Sequence, residues 1–325
     1  MQMKCSLQKQ TPSSISNACS LWSFDNLLPV RKRQLSADGT QKLLLELADG
    51  QTIESVSMPM PSTRTICLST QVGCPIGCTF CRTGQSGFIR NLTLPELMAQ
   101  IRTTAFELHI ATGIRPQRAV FMGMGEPLLN FESVRDCLTL LTDPGGPNLS
   151  WRKIQLSTIG IPRQLEELGR SRLAVPAISL HAPTQKLRDR IMPGARKWPL
   201  DELIAALRSY PLPGRERITI EYILIRDVND SESHAEQLHE LLEGVRAKIN
   251  LIPCNPVPGS PHQSPGPERI ESFALRLKAL GGTAFIRRSL GPDILAACGQ
   301  LRSEQNTSPQ ALPLRENGHP TENKS

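Results

Sequence analysis

Aromatic residues are scarce: 2 Tyr, 3 Trp and 8 Phe make up 4% of 325 residues. Few stacking platforms for bases can be built from them, so binding of a polymer must rest on other side chains. No apolar run approaches the ~20 residues of a membrane-spanning helix, so no membrane partner is expected. Residues 1–20, with Lys4 and many Ser and Gln, hold no apolar core of a secretory signal, and a reducing cytoplasmic setting is the expectation. No GxGxxG or GxxxxGK[ST] stretch follows a strand-like run, which removes the common nucleotide-phosphate cradles. Acid is the scarcer charge. Lys plus Arg number 37 against 30 Asp plus Glu, and the net +7 favours a polyanionic partner.

What the chain does have is 9 cysteines, more than a reduced compartment needs for packing. Three of them form Cys74-Pro-Ile-Gly-Cys78-Thr-Phe-Cys81, a loop in which Gly73, Pro75 and Gly77 let the backbone wrap a ligand. Three thiolates leave one metal position open for a substrate; a fourth ligand elsewhere would instead close a structural zinc knuckle.

The pattern around the loop sets the fold. Between residues 30 and 62, short alternating runs are broken by Asp38-Gly39 and Asp49-Gly50, which predicts a small antiparallel ribbon. Strand-like runs then begin near Thr65, Arg118, Lys153, Ala174, Arg217, Lys248 and Gly282. Helical periods lie between them over Leu94–Ile110, Phe131–Leu141, Leu200–Tyr210, Ser233–Leu242 and Glu268–Leu280. This alternation predicts an α/β fold with a parallel sheet, a complete or partial βα barrel over 63–301. A short mobile N-terminus (1–29) and a polar, aperiodic disordered tail (302–325) complete the expected organisation.

The cysteine loop, with FMGMGEPLLN, LSTIG, IMPGARKWPL, EYILIRDVND, NLIPCNPVPG and GPDILAACGQL, resembles the radical S-adenosylmethionine (SAM) superfamily. Within it the chain is similar to the dual-cysteine RNA methyltransferases that act at adenine C2 in 23S rRNA and some tRNAs. The resemblance implies a partial (β/α)6 barrel and a [4Fe-4S] cluster on Cys74, Cys78 and Cys81. It assigns Gly125 and Glu126 to the methionine end of SAM, and Ser157, Ser179, Leu180, His181 and Asn255 to further SAM contacts. By the same resemblance Cys298 carries the methyl group, Cys67 is the second catalytic cysteine, and Glu54 takes the proton-acceptor position. Two SAM molecules are consumed per turnover, one methylating Cys298 and one yielding the radical that attacks adenine through that methyl group. An rRNA or tRNA substrate and an external electron donor such as flavodoxin or ferredoxin are further implications.

The chain departs from this family at Cys254, where an aromatic residue is usual, and at Pro292 and Leu295, where acids are frequent. Only a short segment precedes the ribbon, where relatives carry a helical RNA-binding domain. An adenine-C8 methyltransferase shares the cluster and both cysteines, and a noncatalytic iron-sulfur RNA-binding or redox-sensing relative would need neither Cys67 nor Cys298. Arg31-Lys32-Arg33, Arg188 with Arg190, Arg196-Lys197, Arg215 with Arg217, and Arg287-Arg288 are the candidate phosphate contacts.

Overall fold

The computed structural model describes residues 26–60 and 63–302. Most of the expected mobile N-terminus, nearly all of the expected tail, and Cys5 and Cys19 lie outside the described residues.

The ribbon is built of β1 (Val30–Leu35), β2 (Gln41–Glu46) and β3 (Thr52–Met60), paired antiparallel. Its two turns use the predicted dipeptides. Gly39 and Gly50 sit at φ 82° and 81°, and the preceding Asp38 and Asp49 carboxylates accept from the amides of Thr40 and Gln51 at 2.8 and 3.1 Å. The chain then enters β4 (Thr63–Cys67), the short β5 (Gln71–Gly73), α1 (Arg82–Gln85) and β6 (Phe88–Asn91). From there helices and strands alternate: α2 (Leu94–Thr112), β7 (Arg118–Phe121), α3 (Phe131–Thr142), β8 (Ile154–Thr158), α4 (Pro162–Ser171) and β9 (Val175–Ser179). The last set is α5 (Gln185–Ile191), α6 (Leu200–Arg208), β10 (Ile218–Leu224), α7 (Glu232–Leu241), β11 (Ala247–Pro253), α8 (Pro267–Ala279) and β12 (Ala284–Ile286).

One ten-stranded sheet runs β1-β2-β3-β4-β7-β8-β9-β10-β11-β12, parallel from β4 onward. Edge strands β1 and β12 do not pair, so the curved sheet is an open, partial barrel with its ribbon as a continuation of one edge. The ends of α2 are encoded locally: Thr93 and Glu96 form a capping box, and Gly113 at φ 70° closes the helix. All seven residues of β10 are buried, as expected of a strand covered on both faces, yet one of them is Glu221. Helices α4 and α5 are additions to the predicted set; the first has one apolar stripe of Leu165 and Leu168, the second only two turns.

The segment after β12 has almost no regular structure, and other elements satisfy its backbone. Lys42 Nζ donates to the Leu295 carbonyl at 3.1 Å, Thr83 Oγ1 to that of Leu301 at 2.6 Å, and the Arg82 amide to that of Gly299 at 2.7 Å. Glu54 Oε2 accepts from the Arg302 amide at 2.6 Å while its Oε1 pairs with Lys42 Nζ at 3.0 Å. Lys42 and Glu54 are both buried on the ribbon.

Removing one partner of a buried pair leaves the other uncompensated, at a cost of about 3 kcal/mol. Lys42→Met is therefore expected to lower the urea-denaturation stability of the protein by about that amount. Adding Glu54→Gln should recover much of the loss, so that the double variant is far from additive. Equal, additive losses would show that the two side chains do not act as a pair.

Candidate active site

Strand side chains alternate in direction, so every second residue of the parallel strands faces the barrel interior. Two cavities follow from this, of ≈ 910 and ≈ 950 Å³. They share Met122, Ile252, Arg287 and Cys298, so they adjoin.

Cys74, Cys78 and Cys81 all line the first cavity, with Glu126, Ser157, Ser179 and His181 on its other walls. The loop carrying them is anchored rather than free. The Cys74 amide donates to the Gly87 carbonyl at 2.8 Å, that of Thr79 to Ile191 at 2.9 Å, and that of Gly194 to Ile76 at 2.8 Å. Burial pushes the Cys74 thiol up to about 12 and raises those of Cys78 and Cys81. Opposing this, the Ile76 amide hydrogen-bonds Cys74 and those of Gly84 and Thr83 hydrogen-bond Cys81. Amides directed at sulfur favour thiolate, the form that binds iron. Among the described residues no three His, Cys, Asp or Glu side chains close on a single ion. A four-iron cluster asks each thiolate to take a different iron, so its ligands need not meet at a point. A three-thiol set with backbone donors, opening on a cavity that also carries Glu126, Ser157, Ser179 and His181, has the donor chemistry for that cluster and a bound SAM.

Glu126 is buried at the end of β7 and is the most elaborately held residue here. Its Oε1 accepts from Thr158 Oγ1 at 2.5 Å and the Leu128 amide at 3.0 Å, and its Oε2 accepts from the Ile159 amide at 2.9 Å. Desolvation nevertheless raises its carboxyl to about 7. One Oε2 lone pair remains for a ligand cation. Gly125, at φ 100°, is required by the protein itself: a Cβ there would lie 2.6 Å from that of Gln71. The resemblance sets Gly125 against SAM; its nearest neighbour within the protein is Gln71, at the start of β5.

His181, at φ 59°, accepts from the Ile223 amide through Nδ1 at 3.1 Å and packs edge-on to Phe80 at 5.0 Å. Its proton is thereby placed on Nε2, in a ring that lines the cavity. Burial, then the Arg188 charge, depress its pKa to about 3. Ser157 and Ser179 stand 3.1 Å apart, Oγ to Oγ. Leu180 is fully buried off the cavity wall, its amide donating to Glu221 O at 3.1 Å.

The second cavity holds Cys67, at the end of β4, and Cys298, on the segment after β12. Both are free thiols. Burial and the neighbouring Cys298 push Cys67 up to about 12. Cys298 is an exposed residue; the protein crowded around its sulfur nevertheless raises its pKa, whereas Arg287 lowers it. Asn255 lies on this wall, not the first: its Nδ2 donates to the Cys298 carbonyl at 3.0 Å and its Oδ1 accepts from Ser289 at 2.6 Å. Glu54 lines neither cavity; both its oxygens are occupied by Lys42 and Arg302.

Three charged residues have roles that sequence reasoning misses. Arg188, grouped by its neighbours with the phosphate contacts, is fully buried and cannot reach a polymer; it donates to the carbonyls of Ile159 at 2.8 Å and Trp198 at 3.0 Å, beside Cys78 and Glu126. Glu221 lines the first cavity with Oε2 unpartnered and Arg287 Nη1 3.6 Å from Oε1. An acid inside an all-buried strand is the available signal. Arg31 and Arg33 are likewise paired, with Glu46 at 2.5 Å and Glu107 at 2.7 Å.

His181 makes the site acid-sensitive. An unfolded histidine binds a proton below about 6.5 and the folded one does not until about 3, so this residue costs stability as pH falls through that window. Between pH 7 and 5 its share is roughly 2 kcal/mol. His181→Asn, which tolerates the left-handed backbone and can accept from Ile223, should lose about that much less over the same range in urea titrations. Identical pH slopes for both proteins would mean that His181 titrates normally.

Comparison with known proteins fits this geometry. The radical SAM superfamily model matches residues 68–238, more than half of the chain. The dual-specificity RNA methyltransferase RlmN of Nitratidesulfovibrio vulgaris is 50% identical over 279 residues, covering 84% of this chain and 77% of that protein. The probable dual-specificity RNA methyltransferase RlmN of Thermosynechococcus vestitus is 46% identical over 277 residues, 85% and 80% of the two chains. The crystal structure of a radical SAM methyltransferase from Sphaerobacter thermophilus superposes with a TM-score of 0.81 at 43% identity, covering 85% of this chain and 81% of that one. With its three-thiol loop, its open parallel barrel and these relatives, the chain belongs to the radical SAM superfamily and, within it, to the RlmN family of dual-specificity RNA methyltransferases.

Proposed function

We propose that this chain methylates an adenosine of rRNA or tRNA at C2, passing the methyl group through the Cys298 sulfur. The observation that carries the route is the placement of two free thiols, Cys67 and Cys298, on one cavity that adjoins the cluster-loop cavity at Cys298 itself. When bound, the cluster and SAM supply a transferable methyl group and, by one-electron cleavage, the 5′-deoxyadenosyl radical. Adenine C2 is not a nucleophile, so a polar transfer to it is closed, whereas a thiolate accepts a sulfonium methyl directly.

Cys298 faces both cavities, so one sulfur can load on the SAM side and deliver on the other. Arg287 favours its thiolate. Cys67, whose burial keeps it a thiol at neutral pH, would give up its proton and attack the Cys298 sulfur. The S–S bond forms as the bond from that sulfur to the transferred carbon breaks; its electron pair passes to that carbon, and a proton completes the methyl group of the released base. Glu126 and the Ser157–Ser179 pair offer oxygen acceptors for an ammonium and hydroxyls, and His181 Nε2 a donor. Leu180 can contribute only its backbone to that cavity. Asn255 and Glu54 support the Cys298 segment by its backbone, so their place is positioning. Reduction of the cluster calls for an external one-electron donor of the flavodoxin or ferredoxin kind. No described helix is long and apolar enough to cross a membrane.

The reconstituted protein with SAM and bulk ribosomal RNA or tRNA should yield 2-methyladenosine on nucleoside mass spectrometry; 8-methyladenosine would instead assign the other ring carbon. Cys298→Ala should never load a methyl group, while Cys67→Ala should load and then hold RNA covalently, visible as a retarded protein band under denaturing conditions. Normal turnover by Cys67→Ala would sink its role. Because Arg287 lowers the Cys298 pKa, Arg287→Gln should move the midpoint of the pH profile of methyl loading upward. On the acid side of that midpoint, loading should slow by up to about tenfold for each pH unit that the midpoint rises. An unmoved profile would remove Arg287 from thiol activation.

A further inference from the structure

The thiol cavity has a neighbour at the opposite end of the strands from the cluster loop. A third cavity, of ≈ 790 Å³, lies at the N-terminal ends of β7 to β11. It shares Arg118, Val120 and Gln155 with the cavity of Cys67 and Cys298, so the two adjoin. Six cations line it: Arg118, Arg152, Lys153, Arg215, Arg217 and Lys248. Glu216 is the one acid among its lining residues, and Arg152 holds it at 2.8 Å.

This arrangement differs from an ordinary solvated basic face. Like charges crowded at a concave mouth repel one another, and low-dielectric walls focus their field outward. The predicted cluster on the ribbon, by contrast, has carboxylate partners, Arg31 with Glu46 and Arg33 with Glu107. At the mouth, the side chains of Arg118, Lys153 and Arg215 make no ion pair or hydrogen bond among the described residues. The cavity behind them, which holds the thiols, is lined largely by apolar side chains, Val56, Met58, Val120 and Met122 among them, with Arg287 and Arg288 as its further cations. A cationic rim followed by an apolar sleeve suits a ligand whose outside is anionic and whose inserted part is a flat, neutral ring.

We infer that this mouth is the RNA-docking face: its cations grip the phosphates flanking the target nucleotide, and the unstacked adenine passes through the lumen to Cys67 and Cys298. The inference rests on the RNA methyltransferase reading above and adds to it the side of the barrel from which substrate enters. An acidic electron-donor protein is the other polyanion to consider, and the geometry disfavours it here. Strand β10 has seven residues, so at ~3.3 Å per residue roughly 20 Å of barrel separates the rim from the cluster end. Phosphate gripping by side chains that do not read bases also matches the scarcity of aromatics, since selectivity can then come from the extruded base alone.

The test compares the full chain with a Lys153→Gln/Arg215→Gln variant and with a control, Arg163→Gln/Lys278→Gln, which removes two exposed charges from the outer helices α4 and α8. The probes are bulk tRNA and deproteinised ribosomal RNA, titrated at several salt concentrations. The rim variant is expected to bind about tenfold more weakly near physiological salt, with the slope of log K against log salt reduced by about 1.4 for two lost phosphate contacts. The control should match the parent. Methyl loading of Cys298 without RNA should be the same in all three. As a check that needs no variant, bound RNA should shield Lys153 but not Lys278 of the parent from amine acylation, read by peptide mass spectrometry.

If the parent methylates adenosine while the rim variant binds with the parent's affinity and salt slope, the docking face is wrong and the function stands. If the parent binds neither RNA, both fail together. Loss of reduction by flavodoxin with RNA binding intact would overturn the inference in favour of an acidic protein at the rim.

Discussion

An irregular segment can sit inside a protein only where something else satisfies its peptide groups, and the position of Cys298 depends on that constraint. Among the described residues after β12 the only regular structure is the single 3-10 turn Pro292–Ile294, so the Cys298 loop cannot support itself. The ribbon supplies Lys42 and Glu54, the cluster loop supplies Arg82 and Thr83, and the end of β11 supplies Asn255. Each bonds the backbone of the segment, not its side chains. The sulfur is thereby left free for chemistry while the chain bearing it is fixed at both sides. This also explains an antiparallel ribbon on an otherwise parallel barrel: it extends one open edge far enough to meet the returning chain.

Burial of charge follows the same logic around the cluster loop. Three thiols, Glu126 and Arg188 are all withdrawn from water, and each alone would be costly in its charged form. Without a cluster the thiols and Glu126 are driven toward neutrality, and Arg188 is held by main-chain carbonyls. Thiolate ligation would add negative charge beside a cation already in place. In sequence Arg188 reads as a phosphate contact because Arg190 is near it; its burial against Ile159 and Trp198 depends on contacts 29 and 10 residues away that no local pattern reveals.

The features legible in the chain are those written over short distances. Asp-Gly turns, the alternation of strands and helices, the capping box and the three-cysteine spacing all act within a few residues, and each appears where its physics requires. The resemblance reaches further, bringing Cys67 and Cys298 into consideration though 231 positions separate them. Roles set by packing stay hidden. The resemblance matches Glu54 and Asn255 to reaction and cofactor, and the structure finds their polar atoms on the Cys298 segment. Glu221 escapes notice in the sequence because it lies in an apolar run, and Arg287 reads there as a phosphate contact because it lies in a basic pair. Helix α5 escapes it because seven residues give too few turns for a period to emerge.

A single strand shows how the barrel divides its labour. On β7 and its continuation, Arg118, Val120 and Met122 face the lumen at every second residue, from the strand start to the cavity shared with Cys298. Charge stands at the wet end, a short apolar side chain in the middle and a flexible thioether beside the reacting sulfur. Four residues of strand rise place roughly 13 Å between the first and the last. Along this strand the cation is kept at the rim, and the one cation that both cavities share with Cys298, Arg287, comes from the segment after β12. The two-residue period of a strand thus does more than bury one face: along β7 it grades the lumen from the cationic rim to the cavity that holds the two thiols.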